Sequence, residues 1–230
     1  MTSAASSGPL PSAPQQDRSR RSARQILTSA ITLLTDNGIG DFTMTDVSRG
    51  AGLSIGGVYG RYPTKEALLR EVKDHVLSTL EAAVAETVET THGGDLRQAM
   101  TALVTVIARS LHQQSRLFAF VFLHSGDDPQ MRRRGFQFHD RMKSAFMEAL
   151  LPLTPGPHSS ARKAVDILYE TIIHSLISRS VTAGSVDPGE TTYASPPDWE
   201  TYARALTTMC CLYLTAPPHP SWNLGDSDVV

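Results

Sequence analysis

Only two cysteines occur in the 230-residue chain, and they are adjacent, Cys210 and Cys211. Neighbouring Cα atoms sit ~3.8 Å apart, too close for a relaxed disulfide within the pair. No disulfide framework is available, and a reducing, cytoplasmic compartment is expected. No stretch approaches the ~18 apolar residues of a helical membrane span, so no membrane partner is expected. The opening MTSAASSGPLPSAPQQDRSRR has no apolar core, so no secretory leader is expected there. Strand-type alternation is missing too, and no internal repeat is visible.

Signatures of catalysis are equally scarce. There is no His-Glu-x-x-His, and two neighbouring cysteines cannot make a four-ligand zinc site. Glu71-x-x-x-His75 and Glu170-x-x-x-His174 each place a carboxylate and an imidazole on one helix face. Their spacing is not the Glu-x-x-His of di-iron bundles. Gly52-x-Ser54-x-Gly56 has the letters of a nucleophile elbow, but no strand precedes it. No metal, cofactor or catalytic group is expected, and the chain reads as a non-enzyme.

What is present is an ordinary globular composition, 40% hydrophobic and 19% charged. The net charge of −2 hides an asymmetry: residues 18–73 hold nine Lys/Arg against five Asp/Glu, a balance of +4, leaving −6 for the rest. A polyanion is attracted to the first part and repelled by the second. Residues 1–17 are Ser, Ala, Pro and Gln with little apolar content, which predicts a disordered arm. It runs into Arg18, Arg20, Arg21 and Arg24.

From residue 23 onward helical periodicity takes over. Ile26, Leu27, Ala30, Leu33 and Leu34 mark a first helix that stops at Asn37-Gly38. Thr43 is placed to cap a short helix over 44–51, with Asp46 at the capping-box position. Gly52-Leu53 turns the chain, Ser54 caps a second short helix over 55–62, and Pro63-Thr64 opens a long one over 65–90. Further helices are predicted over 95–114, 117–123, 130–151, 159–183 and 198–215. The fold class is therefore all-α, with roughly nine helices. The expected domains are a disordered arm (1–17), a helix-turn-helix DNA-binding domain (18–64), a ligand-binding and dimerisation domain (65–216) and a flexible tail (217–230).

Two short helices joined by a Gly-containing turn, close behind a run of arginines, are the sequence form of a helix-turn-helix. Val47, Leu53 and Val58 are spaced to fix the two helices against each other and against the first. Residues 24–72 closely resemble the DNA-binding segment of TetR-family regulators. The matching pieces are the Thr43-x-x-Asp46-Val47 entry, the Ala51-Gly52-Leu53-Ser54 turn, Gly56-x-x-Tyr59 and Tyr62-Pro63-x-Lys65-Glu66. Beyond this fifth of the chain the resemblance is one of length and helicity.

That resemblance implies a homodimeric repressor on double-stranded DNA, released by a small, largely apolar effector. Thr43 and Tyr59 would contact phosphates, with Lys65 and the N–H groups of the long helix on the same strand. Ser54, Ile55, Gly57, Arg61 and Tyr62 complete the expected DNA surface, and Arg20 and Arg21 would reach the backbone or minor groove. Three positions depart from the family: it often has a basic residue where Ile55 stands, Thr at Gly57 and a larger polar residue at Gly60. Three glycines cost the short helix about 1 kcal/mol each relative to Ala and remove side chains that read bases. A close approach of helix backbone to the groove is the inference.

Phe118, Phe122, Met142 and Phe146 form a Phe/Met-rich set that is either plain core or the lining of an apolar cavity. His124, His139 and His174 are the candidate polar anchors there. Apolar stripes on the last two helices include Leu168, Ile172, Leu176, Leu206, Met209 and Tyr213. They either cover the core or, as the resemblance implies, form a four-helix dimer interface. A ligand-independent DNA-binding or protein-docking module is the main alternative, and a helical-bundle enzyme a more distant one.

Overall fold

A computed structural model describes residues 13–124, 128–185 and 197–216. Among them are nine α-helices and no strand: α1 Ala13–Asn37, α2 Met44–Ala51, α3 Ile55–Arg61, α4 Lys65–Thr91, α5 Leu96–Gln113, α6 Ser115–Leu123, α7 Pro129–Leu150, α8 His158–Ser185 and α9 Trp199–Thr215. A single 3-10 turn, Leu151–Leu153, follows α7. None of the described helices is long and apolar enough to cross a membrane. The predicted tail over 217–230 and residues 1–12 of the predicted arm lie outside the described residues.

Side-chain caps start these helices where the sequence places them. Thr43, Ser54, Thr64, Asp95 and Asp198 each accept an N–H from the first turn of α2, α3, α4, α5 and α9. Such a cap satisfies a donor that has no partner within its own helix, contributing about 1 kcal/mol. One boundary departs from the reading above. Helix α1 begins at Ala13, so residues 13–17 and Arg18, Arg20, Arg21 and Arg24 ride on helix, not on a disordered arm. Residues 16–21 are exposed and carry no apolar periodicity to announce them.

The N-terminal core is small and tight. Ile26, Ala30 and Leu34 of α1 meet Met44, Val47 and Ala51 of α2, Val58 of α3 and Leu68 and Val72 of α4, all buried. Helices α1 and α2 approach so closely at Gly50 that a Cβ there would lie 2.3 Å from the Ser29 hydroxyl. That hydroxyl donates to the Val47 carbonyl at 3.0 Å inside the contact. Gly52 ends α2 in the left-handed region, φ 65°, where its lack of a Cβ removes the strain.

The larger half packs α6 on α8, α4 on α7 and α5 on α9, with α1 touching α6. Two sets of polar contacts fasten the helices. Arg116 of α6 donates to the Asp36 carbonyl at the end of α1. Along α4 and α7 runs an ionic ladder: Arg70 with Asp128 at 2.8 Å, Arg134 with Asp74 and with Glu81 at 2.7 Å, and Arg141 with Glu81 at 2.8 Å. Arg134 is largely shielded, with only 12% of its side chain exposed, so this ladder is screened less than a surface pair.

Candidate nucleic-acid interface

The seven-residue helix α3 is held to the body by Val58, fully buried, and leaves Ile55 and Tyr59 at 41% and 46% exposure. Gly56, Gly57 and Gly60 are exposed beside them. A Cβ built at Gly56 or Gly60 would meet nothing within 4 Å, so nothing within the chain demands glycine there. The outward face of α3 is thus a bare backbone ridge flanked by one aliphatic and one aromatic side chain.

Around this ridge the expected contact residues are variously engaged. Thr43 accepts the Asp46 N–H at 3.1 Å and donates its hydroxyl to the Asp46 carboxylate at 2.6 Å. Asp46 also takes Arg49 at 2.6 Å. The Thr43 hydroxyl and Arg49 hold its carboxyl below the usual range despite some desolvation. Asp46 therefore serves Thr43 and Arg49 through its carboxylate. Ser54 remains exposed, its hydroxyl oxygen accepting the Gly57 N–H at 3.1 Å. Arg61 is exposed at the end of α3 and donates to the Ser19 hydroxyl at 3.3 Å, which brings the arginine-rich start of α1 alongside α3. Arg20 and Arg21 are exposed on that start.

Two expected contact residues face inward. Tyr62 caps the end of α3 and is only 9% exposed; burial, with Glu71 nearby, pushes its phenol up. Its ring is part of the buried core. Lys65 is half-buried and directs its ammonium back to the Phe42 carbonyl at 2.7 Å. Glu66 also occupies the N-terminus of α4: its own N–H and the Thr64 hydroxyl hold its carboxyl below the usual range.

The other expected sites are more widely spread. Phe118, Met142 and Phe146 are buried, and Phe122 is half-buried. They pack on one another and on neighbours: Phe118 stacks on Phe122 at 5.9 Å, Phe122 meets Phe138 at 6.3 Å, and Phe146 meets Tyr169 edge-on at 5.3 Å. Two clefts, of about 680 and 930 Å³, are lined by other residues, chiefly of α5, α9 and the end of α4. Of the histidines, His139 is half-buried, bridges to Glu170 at 3.0 Å and receives the Tyr169 hydroxyl on its carbonyl at 3.0 Å. His174 stands on the surface, 3.6 Å from the same Glu170, and His124 is exposed at the end of α6. The structure brings His139 and His174 together through Glu170, but not with the Phe118 cluster as one cavity.

The dimer stripe needs correction in detail. Leu168, Ile172, Leu176 and Leu206 are all at or below 5% exposure, inside the chain's own core. The outward apolar positions are Ile167, Met209 and Leu212, at 52%, 64% and 62%. Tyr213 is half-buried. Cys210 and Cys211 are buried thiols, Cys210 pushed up to about 12 by desolvation, as a small core residue would be. Among the described residues no group of three His, Cys, Asp or Glu is arranged to hold a metal ion.

The geometry defines an all-helical chain in which a helix-turn-helix is carried on a larger helical body. Residues 26–72 match the family of bacterial regulatory proteins named tetR. Over 91 residues the chain is 36% identical to the HTH-type transcriptional regulator EthR of Mycobacterium tuberculosis, and equally to that of Mycobacterium bovis. That alignment spans 36% of this chain and 39% of the relative's length. In fold the similarity is wider. A TetR-family regulator from Mesorhizobium loti matches 86% of this chain and 96% of its own, TM-score 0.66 at 17% identity. A transcriptional regulator from a Rhodococcus species matches 84% and 95%, TM-score 0.65 at 16% identity. The helix-turn-helix segment over residues 26–72 is thus similar to that of the tetR family, and the chain as a whole shares its fold with the solved structures just named.

Proposed function

We propose that this protein is a homodimeric repressor that places α3 in the major groove of a near-palindromic operator and responds to a small molecule. The observation that carries the DNA part is the outward face of α3, where bare glycine backbone lies between Ile55 and Tyr59. A helix stripped of side chains lies deeper in a groove than one covered with them, because its backbone sets the distance of approach. Tyr59, Thr43 and Arg61 then serve the flanking phosphates, and the helical start of α1, with Arg20 and Arg21, extends the positive surface past the end of α3. The EthR relatives, named as transcriptional regulators, support the same reading over the matched segment.

Dimerisation has a physical motive. One seven-residue helix reads few base pairs, whereas two related by a two-fold axis ~34–36 Å apart read a pair of half-sites. On α8 and α9, Ile167, Met209 and Leu212 are exposed apolar side chains that a partner copy would cover. An effector would act by favouring one of two separations of the two α3 helices. Helix α4 runs from the helix-turn-helix into the ladder with α7, and the Arg116 link joins α6 to α1. These are the elements through which such a bias would travel. A ligand-independent DNA-binding module is the second reading, favoured by the mutual packing of Phe118, Phe122, Met142 and Phe146.

The test is a fluorescence titration of the full chain against duplex from its own upstream region, with scrambled duplex as control, at several salt concentrations. Tight, sequence-selective binding that Tyr59→Ala and Arg61→Ala weaken, with helicity unchanged, supports the site. Equal affinity for both duplexes, lost together as salt rises, opposes it. A compound screen on the same assay separates the two readings.

A further inference from the structure

Helices α5 and α9 lie against each other antiparallel, and a cleft of about 680 Å³ opens along their seam. At one end His112 of α5 meets Trp199 of α9, ring centroids 5.3 Å apart, and at the other Leu96 and Arg97 border Cys211 and Leu212. The floor is small and mixed in character, with Ala108, Ala203 and Thr207 buried in the seam. Over it stand three guanidinium groups, Arg97 and Arg109 from α5 and Arg204 from α9.

These arginines differ from those of the α4–α7 ladder. Arg70, Arg134 and Arg141 each face a carboxylate of the chain. Among the described residues Arg97 and Arg109 make neither an ion pair nor a side-chain hydrogen bond, and Arg204 reaches only the Thr201 hydroxyl, at 3.4 Å. Three carboxylates border the cleft, Asp198 and Glu200 along the seam and Asp95 beside Arg97 at the far end, where it accepts the Gln98 N–H at 2.8 Å. Asp198 is occupied with the start of α9, accepting the Thr201 N–H and hydroxyl at 2.8 Å each. Guanidinium groups that pair with no carboxylate among the described residues, around a floor of methyls and hydroxyls, suit an anion with an apolar body. Spacing sets its shape. Arg97 and Arg109 are twelve residues apart on one helix, ~18 Å along its axis, so a ligand held by both is long and charged at both ends.

We propose that the α5–α9 cleft binds an elongated small-molecule dianion of the dicarboxylate class, Arg109 and Arg204 holding one end and Arg97 the other, with its chain over Ala108, Ala203 and Thr207. This site is separate from the Phe118–Phe146 cluster, and it stands whether or not the protein binds DNA.

The experiment is calorimetric titration of the full chain, without DNA, with linear dicarboxylates from succinate to dodecanedioate at low ionic strength. Saturable binding that tightens with chain length is expected, with Arg97→Gln and Arg109→Gln each weakening it by about tenfold, the loss of one charge-assisted pair. Both arginines are exposed, and circular dichroism of the variants checks that folding is unaffected. Monocarboxylates and diamines of matching length are the controls. Equal affinity for mono- and dicarboxylates, unchanged affinity in the double variant, or no saturable binding of any dicarboxylate overturns the proposal. DNA-binding failure leaves these heats unchanged, so the two readings fail independently.

Discussion

The ammonium of Lys65 donates to the carbonyl oxygen of Phe42 at 2.7 Å and lies 5.3 Å from the centre of that residue's ring. The first residue of α4 is thereby fastened to the turn that precedes α2, across the back of the helix-turn-helix. A residue that the family resemblance assigns to a DNA phosphate is, in the free chain, a strut between two elements of its own domain.

Removing that strut will show in stability before it shows in DNA binding. Lys65→Met deletes the hydrogen bond and the cation–π contact together and will destabilise the N-terminal domain by about 1–2 kcal/mol. Chemical denaturation followed by far-ultraviolet dichroism measures this. A melt identical to wild type would mean that the contact contributes nothing and leave Lys65 as a phosphate ligand alone.

The glycines of the helix-turn-helix separate into two kinds. At Gly60 a methyl group meets open space, so Gly60→Ala will stabilise the chain by about 0.5–1 kcal/mol through helix propensity. The same methyl will weaken specific DNA binding, because it stands on the backbone ridge that is proposed to enter the groove. Gly50→Ala will do the opposite: its Cβ displaces the Ser29 hydroxyl from the Val47 carbonyl and costs about 1–2 kcal/mol. Paired melts and duplex titrations decide both. Gly60→Ala with unchanged DNA affinity would place α3 away from the groove floor.

On the last two helices, burial distinguishes core from interface. Leu168→Ala, inside the monomer, will cost about 2–5 kcal/mol of stability. The double change Met209→Lys and Leu212→Lys, both outward, will leave the monomer folded and shift sedimentation of the proposed dimer toward monomer. A dimer that survives that double change would move the interface elsewhere.

Lys73 of α4 supplies a pH signature. It is 4% exposed, and burial, helped by the nearby Arg134 and only partly offset by Asp128, pulls its ammonium down to about 8. The unfolded chain keeps that proton up to the ordinary lysine value of 10.5. Between these values unfolding takes up a proton, so this residue's contribution to stability rises with pH across that window, and its cost is fully present below it. Lys73→Met will therefore raise the melting temperature near neutral pH and remove that part of the alkaline slope. Parallel slopes for the two proteins from pH 8 to 10 would contradict the burial of a charge at this position.

What the sequence by itself determined is local. Helix starts at Thr43, Ser54, Thr64 and Asp198 were legible because a cap residue and the periodicity behind it lie within a few positions of each other. The helix-turn-helix was legible for the same reason, since Gly52, Val47 and Val58 act across a single turn of chain. Helix α1 escaped at its polar start, because a helix with no buried face leaves no hydrophobic signal.

Only the tertiary structure decided which side of each helix faces in. Leu168 and Ile167 are equally apolar neighbours, and α6 packing on α8 buries one and leaves the other in solvent. The same holds for Tyr62 and Tyr59, where packing of α3 claims one ring and leaves the other exposed. The partners of Lys65, the ladder on Arg134 and the cleft between α5 and α9 join residues far apart in the chain, and periodicity carries no information about such contacts. Burial is a property of the assembled helices, so the contact surfaces became visible only when the helices met.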